Sequence, residues 1–402
     1  MPAWPDEPVA GATTADPSIE GKTVAMTVPD VSRERALAHR LRVQALDRPP
    51  VELGDLAVWD LGLQDSPAGS AAQALAARLP GGIDDVGDLA DARRYTTVWA
   101  TRGAPLIVRS GDVKPLAAAL WPIDEADAVS RLAGNGQQLR KAGLDPIDAI
   151  RVTAETMRNV VTQAMTKGEA STKVSARIPD EYVTWCRGCQ AHHLGDQLMR
   201  LAGLPAGLRL VPGASPATLE PIGGWPGVPD EQVGAEGLVR TYLHLYGPAV
   251  PADVGAFIQS SAKAVKSVWP DHLAEARVDG RKAWLPEEDL DDLLEAEPTT
   301  GLVRLLPRSD PWLLARDRKA TVPDAARRKV LWPAIGWPGA VLVDGEVAGA
   351  WRTKATKSSL NLVVEPFTKL STKVRRAVEA ESAHIARSRD AADVAVSFDS
   401  HG

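Results

Sequence analysis

Between Leu238 and Leu285 the apolar residues change period in an order that suits one small fold, three helices followed by a hairpin. Leu238, Val239, Tyr242, Leu243 and Tyr246 share one face of a first helix, which Gly247-Pro248 stops. Pro251 suits the first position of a second helix, Asp253 the positive end of its dipole, and Val254, Phe257 and Ile258 its buried face. Ser260 or Ser261 can cap a third helix, in which Ala262, Val265, Val268 and Trp269 point one way while Lys263, Lys266 and Ser267 point largely the other. Leu273 to Leu285 then reads as a hairpin turned at Asp279-Gly280, a dipeptide that accepts positive φ, with Arg281 and Lys282 beside its tip. Such a winged helix lays its third helix against a duplex while the wing contacts phosphate. The outer face of residues 261 to 269 carries no Asn, Gln or Arg for bidentate base contact, so backbone and shape recognition fits better than sequence-specific readout. The competing reading is a solvated packing unit of the kind that also serves as a protein-binding module.

At 402 residues with 44% hydrophobic side chains, the chain has room for several domains with separate cores. Its net charge of −6 excludes a uniformly basic nucleic-acid coat. The charge is uneven, however: Arg304 to Arg376 holds fifteen Lys or Arg against six Asp or Glu, so this part is electropositive. Residues 1–30, rich in Pro, Gly and Ala, have neither the basic start nor the apolar core of a signal peptide and read as a disordered tail. With no long apolar run, no membrane partner is expected and the expected compartment is the cytoplasm. Two cysteines do not make a disulfide framework.

The fold class expected is α+β, built of tandem winged-helix modules with a β-rich C-terminal domain. An amphipathic helix from Arg33 to Leu46 opens a winged-helix-like module over 31–130. That module continues with an Ala-rich helix over Ala68 to Leu79, strands at Tyr95–Trp99 and Leu106–Val108, and a helix from Val113 to Leu120. A second module over 131–225 has a helix from Pro146 to Met165, a break at 167–171 with Ser171 as a cap, a helix from Gln190 to Ala202, and a hairpin through Leu208 and Leu219. A third module covers 226–300, a basic β-rich domain 301–390, and a flexible tail 391–402.

Cys186-x-x-Cys189 followed by His192 and His193 has part of a zinc pattern. Adjacent histidines on a helix diverge by roughly 100° and there is no second CxxC, so packed, reduced thiols and no metal are expected. The flanking helices do not supply the βαβ frame of a thioredoxin-type site. Of the twelve tryptophans, Trp269 and Trp284 are expected to pack together, whereas Trp332, Trp337 and Trp351 are placed in the basic region where an aromatic could meet nucleic acid.

Taken together, Asp60-Leu61-Gly62-Leu63-Gln64-Asp65-Ser66-Pro67, Thr101-Arg102-Gly103-Ala104-Pro105, Trp185-Cys186-Arg187-Gly188-Cys189 with His193, and Tyr242 to Pro248 resemble the winged-helix DNA-binding proteins related to the AlkZ and YcaQ DNA glycosylases. Leu305-Leu306-Pro307, Asp310-Pro311, Arg316-Asp317-Arg318, and Gly339 to Gly349 with Trp351-Arg352 extend the resemblance over most of the chain. It implies tandem winged helices on a concave DNA-binding surface and a β-rich C-terminal part.

The resemblance also implies a glycosylase motif near Gln64: a Gln, one hydrophobic residue, then Gln or Asp, which stabilises an oxocarbenium sugar and orients water. Here Gln64 and Asp65 are adjacent, so an extended segment sends them to opposite sides, and Leu106 stands where relatives often have His. The two residues either carry catalysis or cap the helix after Pro67. The expected function is a protein that binds double-stranded DNA by backbone and shape in a repair or protection setting. Its candidate contacts are Arg102, Lys263, Lys266, Arg281, Lys282, Arg316, Arg318, Arg352 and Lys354, no cofactor is needed, and a monomer is expected. The alternatives are a monofunctional glycosylase for alkylated purines and a transcriptional regulator, the latter needing a dimer with fixed half-site spacing.

Overall fold

Helical blocks and mainly antiparallel sheets alternate along the chain, giving a mixed α+β fold. The computed structural model describes residues 28–188, 190–355, 359–389, 391 and 393–399. Most of the expected 1–30 tail lies outside them, and so does Cys189. The tail's inner end differs from expectation: β1 (Asp30–Val31) pairs in parallel with Arg277 and Val278.

α1 (Arg33–Val43) starts at Ser32, whose hydroxyl accepts from the Arg35 N–H at 3.2 Å. It departs from the expected amphipathic pattern because Arg40 is buried, donating to Asp317 at 2.7 Å and to the Tyr246 carbonyl at 2.6 Å. Leu37 and Leu41 pack with Leu306, Trp312 and Leu342, so this helix serves the C-terminal domain as much as the module it was expected to open. β2 (Leu63–Gln64), α2 (Ser70–Ala76), β3 (Tyr95–Trp99), β4 (Pro105–Arg109) and α3 (Val113–Ala119) follow, with the strands in the order β2-β4-β3.

The next block holds α4 (Glu125–Leu132), α5 (Gly134–Lys141), α6 (Pro146–Val160), β5 (Met165–Thr166) and α7 (Lys167–Ser175). The break expected at 167–171 is a helix start instead. Thr166 accepts from the Glu169 N–H at 3.3 Å while the Glu169 carboxylate accepts from the Thr166 N–H at 3.1 Å, a reciprocal box that replaces the Ser171 cap. The helix expected from Gln190 is also shorter. Gln190 has φ 54 in the turn of a hairpin between β6 (Val183–Cys186) and β7 (Ala191–Leu194), and α8 (Asp196–Gly203) begins only after Gly195. β8 (Leu208–Leu210) and β9 (Thr218–Pro221) form the expected second hairpin, and β9 also pairs with β5.

α9 (Ala235–Tyr246), α10 (Pro251–Ile258), α11 (Ala262–Ser267), β10 (Leu273–Val278) and β11 (Arg281–Pro286) follow the predicted element order, and a further helix, α12 (Leu290–Glu295), comes after the hairpin. The Asp253 carboxylate accepts from the Val250 N–H at 3.2 Å, and the Ser261 hydroxyl caps α11 through the Ala264 N–H at 3.1 Å. The β10–β11 turn takes Asp279 and Gly280 at φ 48 and 75, and Trp269 meets Trp284 edge-on at 6.1 Å.

The last block holds β12 (Val303–Leu306), α13 (Pro311–Leu314), α14 (Arg318–Thr321), α15 (Ala325–Leu331), β13 (Gly339–Val343), β14 (Glu346–Ala355), β15 (Ser359–Pro366), α16 (Thr372–Arg387) and β16 (Asp393–Phe398). Its strands lie in the order β12-β13-β14-β15-β16. The flexible tail expected at 391–402 is corrected over 393–398, where β16 pairs in parallel with β15 and turns Val394, Val396 and Phe398 toward the core.

The blocks share cores. Trp59, Leu63, Leu75 and Tyr95 pack with Tyr242, Leu243, Tyr246 and Phe257, while Trp99 on β3 belongs to the core of α6, α8 and β8. Among the described residues no helix is long and apolar enough to cross a membrane.

Candidate functional site

Gln64 ends a two-residue strand, and Asp65 follows it at the approach to α2. Their side chains meet different neighbours, as alternation along an extended segment requires. Gln64 Oε1 accepts from Arg102 Nη2 at 3.5 Å. Asp65 Oδ1 accepts from the Ala71 N–H at 3.1 Å, with the Gly69 and Ser70 N–H groups also turned toward it, so this carboxylate caps the first turn of α2. Burial raises the Asp65 pKa above the usual carboxylate value, against the pull of those N–H groups. Asp65 also borders a cavity of about 620 Å³ between the first sheet and the β8–β9 loop, whose other walls include Ala68, Asp88, Thr97, Leu210 and Ala214.

Arg102 sits in the turn before β4 with φ 63. One terminal nitrogen donates to the Phe257 carbonyl at 2.7 Å, and the guanidinium lies 4.9 Å from the Phe257 ring centre. Phe257 packs 5.1 Å from Tyr242, whose hydroxyl accepts from the backbone N–H of Arg316 at 3.5 Å. Two residues on, the Arg318 guanidinium lies against Trp332 at 4.7 Å and Trp337 at 5.2 Å. Arg352 reaches the same loop, donating to the Gly336 carbonyl at 2.6 Å. Gln64, Arg102, Arg316 and Arg318 therefore lie near one another along one seam, with Arg352 exposed at the loop beside it. Among the described residues no carboxylate pairs with Arg102, Arg316 or Arg318, because Asp317, the acid between the last two, is taken by Arg40. Burial pushes the Arg102 pKa down to about 9, with repulsion from Arg316 adding to it; burial also lowers Arg316 and Arg318.

The other candidate cations are elsewhere. Lys263 and Lys266 are exposed on α11, and Arg281 is exposed beside the β10–β11 turn. Lys282 lies 5.2 Å over Trp284 and pairs with Glu275, which offsets its charge. Lys354 is exposed on β14 opposite Asn361. Trp351 does not face the seam: it is buried, and its indole N–H donates to the Leu306 carbonyl at 2.9 Å.

Arg308 and Ser309 were missed as supports of the motif. Both donate to the Ser66 carbonyl, the Arg308 Nε at 3.3 Å, and next to them Asp310 forms a fully buried ion pair with Arg78 at 2.8 Å. The Leu305 to Pro311 run carried this signal without showing its partner. On the β6–β7 hairpin, the His193 Nδ1–H donates to the Leu194 carbonyl at 2.7 Å, and that bond, aided by Cys186, raises its pKa. Among the described residues no group of three metal-ligating side chains occurs.

A profile of the AlkZ-like DNA glycosylases matches residues 59–388. An interstrand DNA cross-link repair glycosylase of Streptomyces sahachiroi is 34% identical over 171 residues, which make up 40% of this chain and 45% of that relative. The match thus spans less than half of that curated protein. The solved structure of the Streptomyces sahachiroi DNA glycosylase AlkZ superposes with a TM-score of 0.72 at 23% identity, covering 92% of this chain and 100% of that one, a likeness of fold. With most of its length inside the profile match, the chain belongs to the AlkZ-like DNA glycosylase family.

Proposed function

We propose that this protein binds double-stranded DNA, mainly by backbone and shape, in a DNA-repair setting. Its three helical units, divided near residues 130, 225 and 300 as the sequence suggests, act as tandem winged helices beside the β-rich domain. The carrying observation is the seam of arginines that lacks acidic partners, in a chain of a DNA glycosylase family. Lys263 and Lys266 on the open face of α11, with Arg281 at the wing, supply a second set of phosphate contacts. Binding rather than hydrolysis is the preferred reading because Gln64 and Asp65 diverge: Gln64 serves Arg102 and Asp65 serves α2, so they do not converge on one reacting atom.

One observation favours the glycosylase alternative. Asp65 borders a cavity with a raised pKa, the combination that marks many general acids and bases. A duplex carrying N7-alkylated guanine tests both readings, with free-base release and mobility shift followed across a salt series. Asp65→Asn keeps the acceptor that α2 needs, while Asp65→Ala removes it. Salt-sensitive binding without release is the expected result. Release by the wild type that both substitutions abolish, with binding retained, would replace the binding reading with the enzymatic one.

A further inference from the structure

Ile335 is the most exposed large apolar side chain among the described residues, at 90%, and it stands in the loop between α15 and β13. A lone exposed apolar residue is ordinary on a protein surface. This one differs in how firmly the loop beneath it is held. The Arg318 guanidinium lies 4.7 Å from the Trp332 ring centre and 5.2 Å from that of Trp337, which ties the two ends of the loop together. The Trp337 indole N–H donates to the Pro333 carbonyl at 2.7 Å, and the Trp332 indole N–H to the Leu313 carbonyl at 3.3 Å. Gly336 takes φ 74, and Arg352 on β14 donates to its carbonyl at 2.6 Å. Trp337 also packs against the core that holds Tyr242 and Phe257, so the loop stands on the same core as the residue whose carbonyl binds Arg102. Both indoles are thus committed to bracing the loop, and the large side chain it offers to solvent is Ile335. Arg352 and Lys329 beside it are exposed, and among the described residues neither has a carboxylate partner.

We propose that Ile335 is an apolar wedge that enters a base step of double-stranded DNA and parts its stacking, with Arg352 and Lys329 on the neighbouring phosphates. The inference rests on the DNA-binding reading and adds a contact with the bases to it. Apolar side chains, Ile among them, insert between base pairs and kink the duplex, at the cost of the stacking they break. Taking an exposed Ile side chain out of water offsets part of that cost. A wedge must also not yield as it enters, and Arg318, Trp337 and Arg352 order this loop before DNA arrives. Insertion asks of the sequence only a step that parts easily, in keeping with recognition by backbone and shape.

The test uses the full chain with undamaged short duplexes that carry 2-aminopurine in place of adenine at a TA or CA step, the reporter moved along the duplex from one probe to the next. Unstacking raises the emission of this base. Wild type and Ile335→Leu are expected to bind and to raise the emission at saturating protein. Ile335→Ser is expected to bind about tenfold more weakly and to lose most of the rise. A serine variant that matches the wild type in both readouts would overturn the wedge and leave the DNA reading standing, as would a wild type that binds with no rise at any reporter position. Weaker binding by the serine variant with the full rise kept at saturation would assign a surface contact without insertion and also overturn the wedge. A wild type that does not bind duplex would sink the DNA reading and the wedge with it. Ile335→Ser should melt no lower than the wild type, since a side chain this exposed has almost no packing to lose. A lower Tm would make Ile335 a packing residue and overturn the wedge.

Discussion

Residue-scale chemistry here is decided by which partner a charged side chain finds. Arg78 and Asp310 are both fully buried and pair at 2.8 Å, and Asp310 also accepts from the Trp312 N–H at 2.9 Å. Asp310→Ala leaves an uncompensated guanidinium and is expected to cost about 3–5 kcal/mol, read from urea unfolding. His39 gives a pH prediction. It is buried with both ring nitrogens unpartnered, and burial lowers its pKa from 6.5 to about 4, with Asp289 and Asp292 opposing and His244 and Arg40 reinforcing the shift. The unfolded chain therefore binds the proton first as pH falls. Stability is lost between pH 6.5 and about 4 and levels off below, by about 3 kcal/mol in all. His39→Leu should flatten that part of the Tm profile relative to wild type, and parallel profiles would refute the assignment. Nearby His244 works in the other sense: its bond to Asp289 at 2.8 Å raises its pKa, so its contribution is full below the unfolded value and fades as pH rises through the folded one. The divergence of Gln64 and Asp65 was legible from their adjacency, but not their partners, Arg102 and Ala71, which depend on how a turn and a helix pack around them.

Elements were most legible where a local rule acts alone. The Ser261 cap, the Asp279-Gly280 turn and the Pro251 start need only a few neighbours to work, and all three occur as expected. The α7 start was misplaced because two caps compete within five residues, and Thr166 prevails through Glu169 at the third helical position, which Ser171 lacks. Thr166→Ala should cost about 1 kcal/mol and speed hydrogen exchange in the first turn of α7. Ser171→Ala should leave both unchanged. The β6–β7 hairpin escaped notice because Ala191 to Leu194 continues into the helical period of α8, and only pairing with Val183 to Cys186 marks it as a strand.

Across the whole molecule, shared cores and buried or half-buried ion pairs bind distant segments. Arg40 to Asp317, Arg48 to Glu381 and Arg78 to Asp310 each join the first eighty residues to the C-terminal domain, while Tyr242 and Phe257 pack with Trp59 and Tyr95. The N-terminal block, the α9–α12 block and the β-rich domain should therefore melt in one calorimetric transition, with tryptophan fluorescence and far-ultraviolet dichroism giving the same midpoint. Separate midpoints for the C-terminal sheet would show that these contacts do not couple the blocks. Sequence alone determined the alternation of helix and hairpin, the α+β class and the family, because periodicity, caps and turn residues act over a few neighbouring positions. Only the tertiary structure decided which charges face outward. Arg40 looks like a solvated helix residue until Asp317 meets it inside, and that pairing, between residues 277 positions apart, is what leaves Arg316 and Arg318 without an acid. Ion pairing depends on distance in space, which no local pattern encodes.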